Sequence, residues 1–188
     1  PYLEGFDWII HREATGFGYG NLYLLGQIHP VKGFAGYYIV ASLLKVPIAT
    51  QIVIWASLVV YFRNKKRRQN ILKDEIFLLL LVLFYTIYFN FFYNAQLGIR
   101  FYLVVFPLLY VFAGNLFMNW KEFSSRQKMS VVALGAYLLI SVLSYYPHYI
   151  PYFNEFIRDR RMAYKYLADS NIDWEQSKEY LKKYQEEH

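Results

Sequence analysis

The stretch that decides the fold is Asn94-Ala95-Gln96-Leu97-Gly98-Ile99-Arg100, a short polar break between two long apolar runs. Residues 76–93 precede it, residues 101–118 follow it, and neither run contains a Lys, Arg, Asp or Glu. An apolar run of about 18 residues is the usual signal of a transmembrane helix. The break therefore predicts a tight hairpin at one membrane face, with the guanidinium of Arg100 at the level of the lipid headgroups.

Two further runs extend this pattern to an all-α integral membrane protein. Residues 129–146 are uncharged, and residues 34–62 form a longer run that Lys45 and Pro47 interrupt. The chain is 56% hydrophobic, and its charges are segregated, because Arg100 is the only charged residue between positions 76 and 117. We predict about four transmembrane helices, at residues 46–62, 76–93, 101–118 and 129–146.

The basic residues predict the orientation in the membrane. They concentrate at residues 63–68 and Lys73, after the first span, and in the loop 119–128. The positive-inside rule places both loops in the cytoplasm. We therefore predict a multi-pass plasma-membrane segment whose two ends are extracytoplasmic. Residues 1–45 are then an extracytoplasmic or interfacial segment, and residues 147–188 are a tail that begins a further domain and includes a helix from about residue 173 to 187.

Several functional classes lack support in the sequence. There is no cysteine, which excludes disulfides, thiolate metal sites and a cysteine nucleophile. There is no phosphate-binding glycine loop, no His pair with metal-ligand spacing and no nucleophile elbow. The basic run 65–68 is explained by topology, so no nucleic-acid partner is predicted. Because the chain starts at Pro1 and shows no signal peptide, we expect a piece of a longer membrane protein.

Two cations are candidates for binding a lipid phosphate. The guanidinium of Arg100 can hold a phosphate through two parallel hydrogen bonds and stays charged at any physiological pH. Its alternative role is a side chain that anchors the start of a span at the interface. An ionisable residue inside an apolar run, such as Lys45, is costly and often functional. Its alternative role is to mark the membrane boundary.

Other polar residues at the outer face are candidates for contact with a sugar or an acceptor. His11 lies in the first segment, where a solvated helix is the alternative. Asp169, Asn171 and Asp173 lie in the tail, where capping of a local helix is the alternative. Ser170, with Asp173 three residues later, is similar to a capping box. The three tail residues could also bind an ion.

The order of motifs resembles one known family. Gly98-Ile99-Arg100, with Phe106-Pro107 and Ala113-Gly114, resembles the "G-I-R-H-x-L-P-x-Y-P … A-G" stretch of bacterial protein O-mannosyltransferase-like enzymes, glycosyltransferase family 39 with the GT-C fold. This chain departs from the pattern at Phe101, Val104 and Glu175, where the family often has His, Pro and Gly. The other stretches similar to the family are residues 23–27, 36–47, 146–155 and 169–176.

The resemblance implies a transferase that moves a sugar from a polyprenyl-phosphate carrier to a protein, lipid or glycan acceptor at the outer face. The general base would belong to an N-terminal half that this chain lacks, so we expect this segment alone to be inactive. Arg100 and Lys45 would bind the carrier phosphate, with the lipid-linked sugar, membrane lipids and the N-terminal half as partners. The need for a divalent metal stays open. The alternative is a non-catalytic membrane scaffold or transporter fragment, although the spans carry few polar residues besides Asn90.

Overall fold

The computed structural model of the chain is mostly helical and describes residues 2–17, 20–30, 32–63, 76–118, 120–175 and 177–187. This agrees with the predicted all-α class. Most of the first basic loop, residues 64–75, lies outside the described residues, so the structure does not test the larger part of the orientation signal. The α-helices are α1 (Tyr2–Thr15), α2 (Tyr37–Lys45), α3 (Ile48–Arg63), α4 (Ile76–Ile87), α5 (Val105–Gly114), α6 (Ser125–Leu143) and α7 (Lys178–Glu187).

Two helices are long and apolar enough to cross a membrane. One is the continuous helical stretch Ile99–Phe117, which includes α5, and the other is α6. The pair α2 and α3 passes the same test when its two helices are taken together, which makes up to three candidate spans in the described part of the chain. The stretch Ile76–Phe91 is apolar but shorter. The protein is therefore membrane-associated through two or three apolar helices.

The predicted interruption at Lys45 and Pro47 is a sharp bend. Helix α2 ends at Lys45, α3 begins at Ile48, and the two helices are bent by 116°. Proline has no N–H and disfavours a helical conformation in the residue before it. Val46 is accordingly extended, with φ −83° and ψ 132°. The bend brings the charged end of α2 beside residues 150 and 171 of the C-terminal tail.

The polar break folds as predicted into a connection between packed helices. Helix α4 continues into a π-helical turn, Tyr88–Phe92, and the chain re-enters a helix as a 3₁₀ turn, Ile99–Val104. Asn90 is 1% exposed, accepts from the backbone of Ile39 at 3.1 Å and donates to the Thr86 carbonyl at 2.8 Å. The oxygen and the nitrogen of the Asn90 side-chain amide thus both form hydrogen bonds in the packed helices.

The N-terminal segment and the C-terminal tail share one hydrophobic core. A short antiparallel hairpin, which the sequence analysis did not predict, joins β1 (Leu22–Leu24) to β2 (Gln27–His29). Leu24 pairs with Leu167 of the tail in an isolated bridge. The core cluster also contains Phe153 and Tyr37, which are 3% and 1% exposed. The tail therefore packs onto the helices instead of extending away from them.

Two helix starts differ from their predicted positions. Helix α6 begins at Ser125 rather than residue 129, because Ser124 and Gln127 form a reciprocal capping box with distances of 3.3 and 2.8 Å. Helix α7 begins at Lys178 rather than residue 173. The capping box predicted at Ser170 is wrong, since the Ser170 hydroxyl donates instead to the carbonyl of Leu97.

Candidate functional site

A cavity of about 420 Å³ lies where the α2–α3 bend, the 3₁₀ turn after the polar break and the tail meet. Both predicted phosphate ligands, Lys45 and Arg100, line it. They reach it from opposite sides, one from the end of α2 and the other from the start of the helix that includes α5. The other lining residues are apolar, aromatic or hydroxyl-bearing: Val46, Pro47, Ile99, Leu103, Phe106, Tyr110, Tyr149, Ile150, Tyr152, Ser170 and Trp174.

Arg100 is held by two aromatic rings. Its guanidinium carbon lies 4.8 Å from the ring centre of Phe101 and 4.4 Å from that of Trp174. Stacking occupies the faces of a guanidinium, whereas its N–H groups point outward along its edges. No carboxylate among the described residues forms an ion pair with Arg100. The arrangement therefore orients a forked donor at the cavity, with its charge not neutralised by an acid.

Lys45 joins the helix bend to the tail. Its Nζ donates to the carbonyl of Ile150 at 2.7 Å and to the carbonyl of Asn171 at 2.5 Å, and it lies 4.6 Å from the ring centre of Phe153. An ammonium has three donors. Two carbonyls take two of them, which leaves one donor for an anion in the cavity. Lys45 thus combines a structural role with a second hydrogen-bond donor at the cavity.

The remaining predicted contacts lie in different places. Asn171 is 1% exposed and donates to the Tyr37 hydroxyl at 2.8 Å, while its Oδ1 accepts from the backbone of Ile99 at 3.2 Å. Asp169 is exposed and adopts a left-handed φ of 56°. Asp173 lines a separate cavity of about 370 Å³. His11 is exposed on α1 and lines neither cavity. Only Lys45 and Arg100 of the predicted set therefore line the larger cavity.

Sequence reasoning missed the residues that orient the two cations. Trp174 stacks on Arg100, and Asn171 supplies a carbonyl to Lys45 rather than a side chain to a sugar. The aromatic run around residues 145–153 indicates an interfacial belt, and its members Tyr149 and Tyr152 form one cavity wall. Nothing local to Trp174 indicates a contact with the distant polar break.

A tight approach at Gly98 lets the tail contact the polar break. Gly98 has φ +96°, and a Cβ at this position would lie 2.9 Å from Oγ of Ser170. We expect Gly98→Ala to destabilise the protein by about 1–3 kcal/mol, since alanine is strained at this φ and clashes with Ser170. Thermal unfolding in nanodiscs measures the effect. Gly114→Ala is the matched control, because its Cβ meets nothing within 4 Å. An equal response in both variants would contradict the tight contact.

A carboxylate outside the spans fixes one wall of the cavity. Glu155 accepts from the Ser141 hydroxyl at 2.5 Å and from the Tyr137 hydroxyl, and Ser141 also bonds the hydroxyl of Tyr152 at 2.9 Å. Burial raises the pKa of Glu155, but the hydrogen bonds from Ser141 and Tyr137 outweigh burial, so the net pKa is lowered. The ionised form of Glu155 is therefore the one that holds Tyr152 in place.

The hydrogen bonds of Glu155 make the stability of the protein depend on pH. A carboxyl whose pKa is lower in the folded state contributes stability above its unfolded pKa, and that contribution is lost as the pH falls through the folded pKa. We expect the thermal midpoint to fall as the pH drops below the ordinary range of a glutamate pKa, and to fall less in Glu155→Gln. Differential scanning fluorimetry across this range tests it. An identical acid response in the parent and in Glu155→Gln would refute the contribution of this group.

Comparisons with known proteins suggest no function for this chain, so the site is interpreted from its geometry. No family model, curated protein or solved structure matches the chain. The informative features are the two cations that line one cavity and the lining around them, which contains no carboxylate among its described residues. Such a cavity has the chemistry to hold an anion that carries an apolar group.

Proposed function

We propose that this protein is a membrane glycosyltransferase segment that binds a polyprenyl-phosphate sugar and supports transfer of the sugar to a protein, lipid or glycan acceptor at the outer face. One observation carries the proposal: Lys45 and Arg100 line a single cavity of about 420 Å³ whose other walls are largely apolar and aromatic. The ligand suggested by that chemistry has a phosphate at one end and a hydrocarbon chain at the other.

The two kinds of lining residue match the two parts of such a carrier. Arg100 offers a planar fork suited to phosphate, and Lys45 adds a compact charge. Val46, Leu103 and Phe106 supply apolar surface in the same cavity. Charges at a water-poor boundary interact more strongly with an anion than they would in bulk water. A free sugar would interact less strongly with Lys45 and Arg100, because it has no charge.

The proposed reaction places these cations on the leaving group. The bond between the anomeric carbon of the sugar and the phosphate oxygen breaks, and the oxygen keeps the electron pair. An acceptor oxygen forms the new bond to that carbon and gives its proton to a base. Negative charge therefore develops on the phosphate, where Lys45 and Arg100 would stabilise it. We propose, as the family resemblance implies, that the base comes from another segment.

The proposal includes a finer membrane arrangement than two or three spans. We propose that α3 and the apolar stretch Ile76–Phe91 also cross the bilayer, giving four spans of a GT-C-type bundle in the cell envelope. The support is the apolar character of both elements and their packing against α5. The polar break and the tail would then face outward, where lipid-linked sugars are used in protein glycosylation.

The proposal is tested first by binding. The chain is reconstituted in phosphatidylcholine nanodiscs, and the affinities for undecaprenyl phosphate and for undecaprenol are compared by native mass spectrometry. Charge-assisted hydrogen bonds from two cations should favour the phosphate by about tenfold or more. Inorganic phosphate alone should compete weakly, because it lacks the chain. Equal affinity for the phosphate and the alcohol would refute the proposal and favour a non-catalytic membrane protein.

A further inference from the structure

Helix α1 exposes an apolar face over most of its length. None of its residues is buried against the rest of the described chain. The large apolar residues of this face recur at intervals of three and four positions, which places them on one side of a helix. The opposite side carries charged and polar residues, including Asp7 and His11. The exposed fractions on the apolar face are 95% for Tyr2, 83% for Leu3, 63% for Phe6, 60% for Ile9 and 51% for Ile10.

A contact at the end of α1 joins this face to the polar break. Glu13 follows Ile9 by four residues and therefore shares its face. The backbone N–H of Asn94 donates to the carboxylate of Glu13, and the side-chain amide of Asn94 donates to the Glu13 carbonyl at 3.1 Å. Asn94 opens the polar break that precedes the apolar helix Ile99–Phe117. The face of α1 that includes Ile9 and Glu13 is thus joined at its end to the polar break that precedes an apolar helix.

We infer that α1 is an interfacial helix that lies in the outer surface of the same bilayer, with its apolar face among the lipid headgroups and upper acyl chains. Such helices bury their apolar face about 5–10 Å into that boundary. A lipid surface is the occupant favoured here because α1 is joined directly to the polar break. The inference is independent of the proposed transfer reaction.

The lack of cysteine in the chain makes a clean test available. Phe6→Cys reports the apolar face and His11→Cys reports the polar face, each labelled with a polarity-sensitive NBD fluorophore in phosphatidylcholine nanodiscs. We expect blue-shifted emission from the label at position 6, and quenching by lipids with a nitroxide on the upper acyl chain that is several-fold stronger than at position 11. Aqueous iodide should quench the label at position 11 more strongly.

The alternatives give different readings. Two labels that are equally exposed to iodide would overturn the inference. A blue shift at position 6 that grows with protein concentration, without quenching by nitroxide lipids, would overturn the inference. It would indicate a contact with a second copy of the chain. The same shift at all concentrations, without lipid quenching, would indicate another protein surface and would also overturn it. Unchanged thermal midpoints verify folding, and Ile9→Cys replaces Phe6→Cys if that variant fails to fold.

Discussion

Replacing Arg100 with alanine is expected to lower the rate of transfer from a polyprenyl-phosphate sugar by about 100-fold or more, the usual effect of removing one preorganised donor to a developing anion. The reason is geometric. The guanidinium carbon lies 4.8 Å from the ring centre of Phe101 and 4.4 Å from that of Trp174, so both rings orient it before a ligand binds. Replacing Arg100 with alanine removes a charge that is already oriented and needs little reorganisation during the reaction.

The measurement is transfer of radiolabelled sugar in native membranes that contain the complete protein, with undecaprenyl phosphate binding in nanodiscs as the second readout. Arg100→Lys separates charge from shape, since lysine keeps the charge but loses the planar fork and the stacking. We expect this variant to recover binding more than activity. Trp174→Leu should lower activity less than Arg100→Ala, because the guanidinium stays and only its orientation is loosened.

Arg158→Ala is the matched control. Arg158 is also an exposed arginine of the outer tail, but it does not line the cavity. Its replacement should leave both transfer and binding near the parent values. If a normally folded Arg100→Ala protein transferred sugar at the parent rate, the assignment of this residue to the leaving phosphate would be wrong. If Arg158→Ala lost as much activity as Arg100→Ala, general charge on the tail would explain the effect instead.

The sequence predicted the features that depend on local chemistry. Proline removes a donor and restricts its neighbour, so the break near Pro47 was visible as a bend. The uncharged runs on either side of Arg100 predicted two packed helices joined by a short polar turn. The placement of Lys45 and Arg100 near one membrane face predicted that they could serve one ligand, and the structure shows them in one cavity.

Features set by distant contacts were beyond sequence reasoning. Ser170 has the local pattern of a helix cap, but the Leu97 carbonyl of the polar break takes its hydroxyl. A capping pattern reports only the residues within one turn, whereas a buried carbonyl needs a donor from any source. Asn171 likewise looked available for a ligand and is instead used by Tyr37 and Ile99. Pairings of this kind are determined by the packing of the tail against the helices.

The second large effect is expected at Asn154, which holds the helix bend together. Asn154 is 1% exposed, and its amide donates to the carbonyls of Leu43 and Val46 at 2.6 and 2.7 Å. Its backbone N–H also donates to the carbonyl of Leu44 at 2.8 Å. These carbonyls lie where the helix is interrupted, so intrahelical donors do not serve them. Asn154 therefore supplies the hydrogen bonds that the bend removes.

Asn154→Ala is expected to destabilise the protein by about 1–3 kcal/mol, measured by chemical denaturation in detergent micelles. The loss should be limited by Gln51, whose amide donates to the same carbonyls of Leu43 and Val46 at 3.0 and 2.8 Å. Asn21→Ala, at an exposed asparagine, is the matched control and should change stability by less than about 0.5 kcal/mol.

A double variant of Asn154 and Gln51 tests this prediction most directly. Because Asn154 and Gln51 donate to the same two acceptors, each single variant leaves a donor in place, whereas the double variant leaves none from these side chains. An unsatisfied carbonyl near the membrane costs more than one exposed to water. The double variant should therefore lose more stability than the sum of the two single variants, by about 0.5–3 kcal/mol. Strict additivity would show that water or rearranged backbone already serves these carbonyls, and that Asn154 does not hold the bend.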